Sequence, residues 1–463
     1  MTVTKRYAGI TDGPIFSRML LYSLPIMLTG ILQLLYNMAD NIIVGQFSGN
    51  PLAIAAIGST SSLGNLIINL LMGIAGGAGV LVAQCYGAEQ FDRLSRTVHT
   101  SMIFSFIGGI LFSALGLSLV RPALSLMGTK AEVMEWACLY LGIICIGIPA
   151  SAVYNFGAAI LRSVGDSKTP LYILSSSGII NVILNLFFIL VCDMSVDGVA
   201  IATVIAQYIS AITVVILLFS RKNAPYALSI SKMKIDFGLL GRVLRMGLPA
   251  GLQSTLFSIS NIILTGGINT LPTTDISAKT IAINIEGIVY SSMNSYLHTA
   301  MTFTGQNFGA KKPERIKKSI FFALIQVAII GFVGGQVLLF FGRELASLYI
   351  SPSDPNKEAI IESTIVLMKF MLSTYFLCGI MDALSGSLRG LGYSLTPMMI
   401  SIGCICVLRS IWVFFFFPTP EFNSLVGIYT IYPISWISAA ILMGITLIFA
   451  TRKISKKFKL GKI

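Results

Sequence analysis

The chain has 463 residues, of which 55% are hydrophobic and only 11% charged, with a formal net charge of +13. A soluble protein of this size carries roughly 25% charged residues, so the composition excludes an ordinary soluble enzyme and points to lipid as the solvent. Apolar stretches long enough to cross a hydrocarbon core of about 30 Å recur from end to end, and no stretch reads as a separate soluble domain.

The first 18 residues are polar, with Lys5, Arg6 and Arg18. The apolar run after them is too long for a signal-peptide core and lacks a small-residue cleavage site, so it reads as a retained first span. Breaking the chain at charges and Gly/Pro turns predicts twelve spans: 19–45, 52–84, 95–119, 133–160, 170–191, 197–219, 239–266, 276–305, 317–341, 360–387, 395–417 and 426–450. With the N-terminus on the cytoplasmic side, 25 of the 32 Lys and Arg residues fall in cytoplasmic segments and 4 in outer loops. That bias predicts an orientation with both termini cytoplasmic. The positive charge therefore reads as a topology signal and not as a nucleic-acid surface.

Span one carries Gln33, Asn37, Asp40 and Asn41 at i, i+4, i+7 and i+8 in the stretch NMADNIIVGQF and just before it. This spacing forms one helical face. A carboxylate facing lipid costs about 2.5–3.5 kcal/mol at a helix centre, so the stripe is expected to face the bundle interior or a water-filled cavity. Span two repeats the pattern with Asn65 and Asn69, span five with Asn181 and Asn185, and span six with Thr203, Gln207 and Ser210. In the second half Ser254, Ser258, Asn261 and Thr265 share a face of span seven, close to Gln253. Glu286, Tyr290 and Asn294 share one of span eight, and Cys378, Asp382, Ser385 and Arg389 one of span ten. Interhelical hydrogen bonding, worth about 0.6 kcal/mol per contact, accounts for asparagines and serines in such places. Intramembrane acids mark function by default. Asp40, Glu286 and Asp382 are the deep ones. Lys279, Lys369 and Arg409 could instead neutralise the second-half acids, and Arg409 could also snorkel.

Three ordered matches relate the halves. Leu24-Pro25 matches Leu248-Pro249. Gln84-Cys85-Tyr86-Gly87-Ala88 matches Gln306-Asn307-Phe308-Gly309-Ala310. Leu161-Arg162-Ser163-Val164-Gly165 matches Leu388-Arg389-Gly390-Leu391-Gly392. The offsets are 224, 222 and 227. The expected fold is an all-α integral membrane protein of twelve helices. They form two parallel, pseudo-symmetric six-helix bundles around a central cavity. Residues 1–222 form the first bundle, 223–245 a basic linker and 246–463 the second bundle. Transporters use parallel repeats of this kind to rock one bundle against the other.

Other motifs carry less. Val164 to Thr169 lacks the phosphate-loop spacing, so no nucleotide site is expected. The seven cysteines lie in or beside apolar spans with only His99 and His298 for company, which gives no structural metal site. Gly73/Gly77, Gly247/Gly251, Gly331/Gly335 and Gly386/Gly390 have close-packing spacing, read as contacts within the chain. No nucleophile–base set is present, so the chain reads as a non-enzyme.

These features resemble the multidrug and toxic compound extrusion (MATE) family. The resemblance rests on the twelve spans, Pro25 followed by Asp40-Asn41-x-x-Val44-Gly45, and the two pairs of repeated turns. It is closest to the bacterial DinF-like and MepA-like members. It implies an antiporter of a bacterial cytoplasmic membrane, exporting small organic cations in exchange for H⁺ or Na⁺ without any other cofactor or nucleotide. It also implies an ion-coupling site of Asp40, Asn181, Asn185 and Thr203, with Na⁺, if used, at Asp40 and Asn181. Asn185 stands where some relatives carry an acid. Phe257 stands where NorM-like members have a glutamate, which weakens a cation site of that type in the second half. Glu286 matches a family acid on span eight, and Asp382 loosely matches one on span ten. The expected substrate-binding set is Gln33, Tyr36, Asn37, Asn65, Asn69, Tyr154, Gln253, Glu286, Tyr290 and Asp382, with the tyrosines as stacking faces. A bend of span one near Pro25 is the expected coupling motion. The alternative is a flippase of lipid-linked precursors from the same superfamily. That function needs a cavity rich in Arg and Lys, for which only Lys279, Lys369 and Arg409 are candidates. An ion channel is a third reading, but two unlike halves do not readily form the ring it needs.

Overall fold

The protein is described from a computed structural model that covers residues 10–47, 52–351 and 354–460. Each predicted span carries a long helix or a close helical pair. These are α1 (Ile15–Phe47), α2 (Ala53–Gly87), α3 (Phe91–Leu126), α4 (Ala131–Ser163), α5 (Lys168–Leu190) and α6 (Val196–Ser220) in the first half. The second half has α7 (Phe237–Ile268), α8 (Thr273–Gly309), α9 (Pro313–Phe340), the short α10 (Gly342–Ser347), α11 (Lys357–Thr374) and α12 (Phe376–Gly390). The spans Leu395–Phe416 and Leu425–Lys459 complete it.

Among the described residues nine helices are apolar enough to cross a membrane alone, and α11 with α12, bent by 40° about Tyr375, makes a tenth. The two remaining spans are α7 and α8. At 32 and 37 residues they are long enough. Their apolar windows are diluted by Gln253, Ser254, Ser258 and Asn261 in α7, and by Lys279, Glu286 and a buried Ser/Thr/Gln/Asn run near the end of α8. The Leu395–Phe416 span is not a plain α-helix. It widens into π-helix at Ile402–Val407 and again at Trp412–Phe416.

The sequence repeat is also a backbone repeat. After the two Gln-x-aromatic-Gly-Ala stretches, Glu89 and Lys311 both take φ near +54° (55° and 54°), although neither is glycine. The amides of Gln90 and Lys312 both close their turns onto the residue five back, Cys85 and Asn307, at 3.0 Å. Gly165 and Gly392 take φ of 101° and 91° at the second pair of turns, a region open to glycine and strained for other residues. Asp166 N and Tyr393 N then donate to the carbonyls of Leu161 and Leu388 at 2.9 Å. Val164 to Thr169 is therefore a helix entry and not a phosphate loop: Asp166 accepts from Thr169 N at 3.0 Å and pairs with Arg221 at 2.8 Å.

The chain divides into two compact units that cut the helices differently from the predicted bundles. The first contains residues 31–254, and the second residues 10–30 and 255–463. Both cuts fall five residues beyond a proline, Pro25 in α1 and Pro249 in α7. The early part of α1 therefore packs in the second unit. Tyr22 meets the Phe303 ring edge-on at 5.6 Å, Ser23 Oγ donates to Tyr296 Oη at 3.1 Å, and Gln326 Nε2 donates to Phe16 O at 2.8 Å. The early part of α7 packs in the first unit. There Gly247 and Gly251 meet the backbone of Gly73, Ile74 and Leu70, so the two glycine pairs serve one contact that no larger side chain fits. The basic segment 223–245 packs on the first unit. Tyr226 and Leu228 lie in the first unit's core, and Ser229 N donates to His99 Nε2 at 2.9 Å.

Candidate functional site

In the first unit the later part of α1 lies along α5. Tyr36 rests on Gly178, where a methyl group would strike its ring, and its hydroxyl donates to Ser175 O at 3.2 Å. One turn on, Asp40 meets the two α5 asparagines. Asn185 Nδ2 donates to Asp40 Oδ1 at 2.5 Å. The Asn181 amide has two competent orientations. In one, Nδ2 donates to Asp40 Oδ1 at 3.1 Å while its oxygen accepts from Thr203 N of α6 at 3.3 Å. In the other, Nδ2 donates to Thr203 Oγ1 at 3.3 Å and Oδ1 accepts from Asn185 Nδ2 at 3.4 Å. Asn185 is fully buried, and its Oδ1 accepts nothing among the described residues. A buried amide oxygen without a donor is costly and is oriented to take one. No group of three or more His, Cys, Asp or Glu side chains gathers among the described residues. An ion at Asp40 would therefore be held by one carboxylate and the neutral oxygens of Asn181, Asn185 and Thr203.

The second unit holds a different constellation. Glu286 and Tyr290 of α8 and Asp382 of α12 come together with Tyr375 and Cys378, and Asn294 faces the Asp382 carboxylate. Asp382 is 5% exposed. Tyr290 leans on Tyr375 with ring centroids 6.4 Å apart. The basic residues do not neutralise these acids as anticipated. Lys279 Nζ donates to Thr265 Oγ1 at 3.1 Å, and Lys369 is exposed. The charge that faces Asp382 is that of the buried Arg389 on the same helix, while Glu286 enters no ion pair among the described residues. Arg409 does not snorkel: it is 5% exposed.

The remaining candidates scatter. Gln33, Asn37 and Asn65 are exposed, Asn69 is half-buried, and Gln253 is buried in α7. Of the polar stripe on α1, only Asp40 engages α5. Tyr154 is a correction: it lies in the first unit's core with its hydroxyl donating to Pro170 O at 3.1 Å, so no ring face is left for stacking. Around Pro25, α1 runs as one helix from Ile15 to Phe47, with Thr29 Oγ1 donating to Pro25 O at 2.7 Å.

The MatE family model matches residues 25–187 and again 249–415, one copy in each repeat and together most of the chain. The chain belongs to the MatE family. Similar proteins include the probable multidrug resistance protein YoeA of Bacillus subtilis (strain 168), 29% identical with 84% of each chain covered. The multidrug export protein MepA of Staphylococcus haemolyticus is 23% identical over 86% of each chain. A protein named FAD transporter from Shewanella oneidensis is 24% identical over 75% of this chain and 77% of its own. An outward-facing MATE transporter of the MOP superfamily superimposes with a TM-score of 0.89 at 21% identity, covering 98% of this chain and all of the other. The MatE chain is thus a multi-pass membrane transporter with the twelve-helix family fold, and not an enzyme.

For a MatE protein, sequence reasoning missed one part of the second unit: the aromatic row Tyr375, Tyr429, Tyr432 and Trp436. Tyr429, Tyr432 and Trp436 sit at i, i+3 and i+7, a helical stripe that the sequence does display. Tyr375 gives no such signal, because it acts only through the bend between α11 and α12.

Proposed function

We propose that this transporter exports small organic cations in exchange for H⁺ or Na⁺, with Asp40 as the coupling carboxylate. The observation that carries the reading is the placement of Asp40 against Asn181 and Asn185, inside one unit and in no ion pair among the described residues. Two amide N–H groups on a carboxylate suit its ionised form. When a proton or Na⁺ neutralises Asp40, one donor is no longer needed, and Asn181 can turn its N–H to Thr203 Oγ1. That turn changes which atoms tie α1 to α5 and α6. Ion and substrate must favour different states of this contact for exchange to result. Each charge moved through 100 mV is worth about 2.3 kcal/mol, enough to drive export. The cationic cargo agrees with Glu286, a second-unit acid in no ion pair among the described residues, whereas Asp382 faces the buried Arg389.

The test is ethidium efflux from proteoliposomes under an imposed pH gradient or an imposed Na⁺ gradient, comparing the native protein with Asp40→Asn. One gradient should drive efflux in the native protein and not in the variant, with equal amounts of folded protein, and that gradient names the ion. Undiminished pumping by Asp40→Asn would make Asp40 structural. Failure of both gradients to move any cationic dye would turn attention to the flippase alternative.

A further inference from the structure

An apolar groove of about 670 Å³ runs along the first unit between α3, α4 and α6. Ile103, Phe106 and Ile107 of α3 form one wall, and Ile212, Ile216 and Phe219 of α6 the other. The helix α4 packs against both and forms the floor. At the deep end Tyr208 Oη donates to Ile146 O at 3.1 Å. From Phe219 back to Tyr208 the groove follows α6 for about 16 Å at 1.5 Å per residue. That is the depth of one leaflet of a hydrocarbon core of about 30 Å.

The shallow end is closed by the segment after α6, where Leu228 and Met233 complete the lining. Lys232 and Lys234 flank Met233, and both are exposed. Neither enters an ion pair among the described residues. Residues 221–245 hold six basic side chains and one acid, Asp236. The Asp236 carboxylate is engaged elsewhere, accepting from Leu239 N at 3.0 Å and from Arg96 Nη1 at 3.3 Å. It therefore does not neutralise the two lysines. Ile230 and Phe237, 83% and 78% exposed, stand on either side of these lysines. Bare apolar side chains among lysines are the composition of a segment lying on a membrane surface.

We infer that this groove is a binding site for an anionic phospholipid, with one acyl chain between α3 and α6 and the headgroup phosphate at Lys232 and Lys234. Lipid tails are as apolar as the groove, so the chain alone gains little over bulk bilayer. Selectivity comes from the headgroup, because basic clusters beside a span attract anionic lipids. The bound lipid ties the segment 228–233 to α3 and α6. Ser229 N, which donates to His99 Nε2 of α3 at 2.9 Å, secures the same edge. The segment leads into α7, so the lipid braces the start of that helix.

The test is native mass spectrometry of the purified full-length protein in detergent, titrated with phosphatidylglycerol and with phosphatidylcholine of the same acyl chains. One phosphatidylglycerol should be retained about tenfold more tightly than phosphatidylcholine. Lys232→Gln combined with Lys234→Gln should remove most of that preference and leave phosphatidylcholine binding unchanged. Ile212→Trp, at an exposed position of the groove wall, should weaken both lipids equally. Ile329→Trp, similarly exposed on α9, should weaken neither. Glycerol phosphate, which carries the headgroup charge without the chain, should not displace the lipid. No preference for the anionic lipid in the native protein would overturn the proposal, as would a preference that survives loss of both lysines. Lipid retention undiminished by Ile212→Trp would also overturn it. Displacement by glycerol phosphate would make the groove a plain phosphate site, and displacement by ethidium a seat for cargo, and either result refutes the lipid assignment.

Discussion

At the repeat spacing of 224 residues, Asp40 in the first half corresponds to Leu264 in the second. Asp40 is half-buried and held by Asn185, whereas Leu264 is 1% exposed in the second unit's core. The exchange runs the other way on a later span. Asp382 corresponds, at the 227 spacing, to Asn155, whose Nδ2 donates only within its own helix, to Ser151. Each half therefore keeps its acid where the other has a neutral residue, while the turns around them stay alike down to the φ of Glu89 and Lys311. Duplication has preserved the backbone that positions the sites, and the chemistry has diverged: a lone acid among amides in one unit, and acids, an arginine and aromatics in the other.

The largest effect should come from forcing the two halves to match. Leu264→Asp would place a carboxylate in a packed apolar core with no amide partner, and the cost should be about 3–5 kcal/mol. Thermal unfolding in detergent should show a clear loss of stability and of yield. Asp40→Leu should cost less, about 1–3 kcal/mol for the bond lost from the buried Asn185, while abolishing ion-driven efflux. A Leu264→Asp protein as stable as the native one would mean that the second unit also offers a polar pocket there.

A smaller effect should come from within the first unit. Asn185→Leu removes the 2.5 Å bond to Asp40 and also the orphan oxygen. A hydrogen bond to a charged group is worth about 1.5–3 kcal/mol. The ion concentration for half-maximal efflux should therefore shift by about tenfold or more, with the maximal rate less affected. The same change at Asn155, the neutral counterpart of Asp382, should leave the ion dependence where it was. Equal shifts from both substitutions would remove the distinction between the two units.

How much of this was legible follows from which signals are local. Helical spacing fixed the relation of Asn181 to Asn185, and a lone acid in an apolar run singled out Asp40. The repeated turns were readable because they need particular residues, such as glycine at positions 165 and 392. The division into units was not, because it passes through continuous helices and depends on what α1 and α7 touch. The pairing of Gly73/Gly77 with Gly247/Gly251 was hidden for the same reason: each motif is visible alone, and only packing shows that they are one contact. Arg409 looked like a snorkelling or ion-paired residue because nothing in its local sequence announces the two π turns that flank it.

The smallest expected effect compares ion pairs at helix ends. In the first unit Arg221 pairs with Asp166, which is 6% exposed. In the second, Lys312 pairs with Asp12 at 2.8 Å, and Asp12 is 66% exposed. The hydrogen bond from Lys312 holds the Asp12 carboxyl below its ordinary value, slight burial opposes this, and the charges of Lys312 and Arg315 add to the lowering. A carboxyl depressed on folding stabilises the fold above its unfolded pKa of about 3.9, and the benefit fades as pH falls through the folded value. Solvent screening limits that benefit to about 0.5 kcal/mol or less at an exposed pair. Asp12→Asn should therefore lower the melting temperature slightly at neutral pH, less at high salt, and progressively less as pH falls through the lowered folded value. Asp166→Asn should cost more, because it disturbs the bonds to Thr169 and the partly buried Arg221 together. If Asp12→Asn proved as damaging as Asp166→Asn, the exposed Lys312 pair would be holding the segment Ile10–Gly13 in place. The main-chain bonds from Arg315 to Ile10 and Gly13 would then be too weak to do so alone.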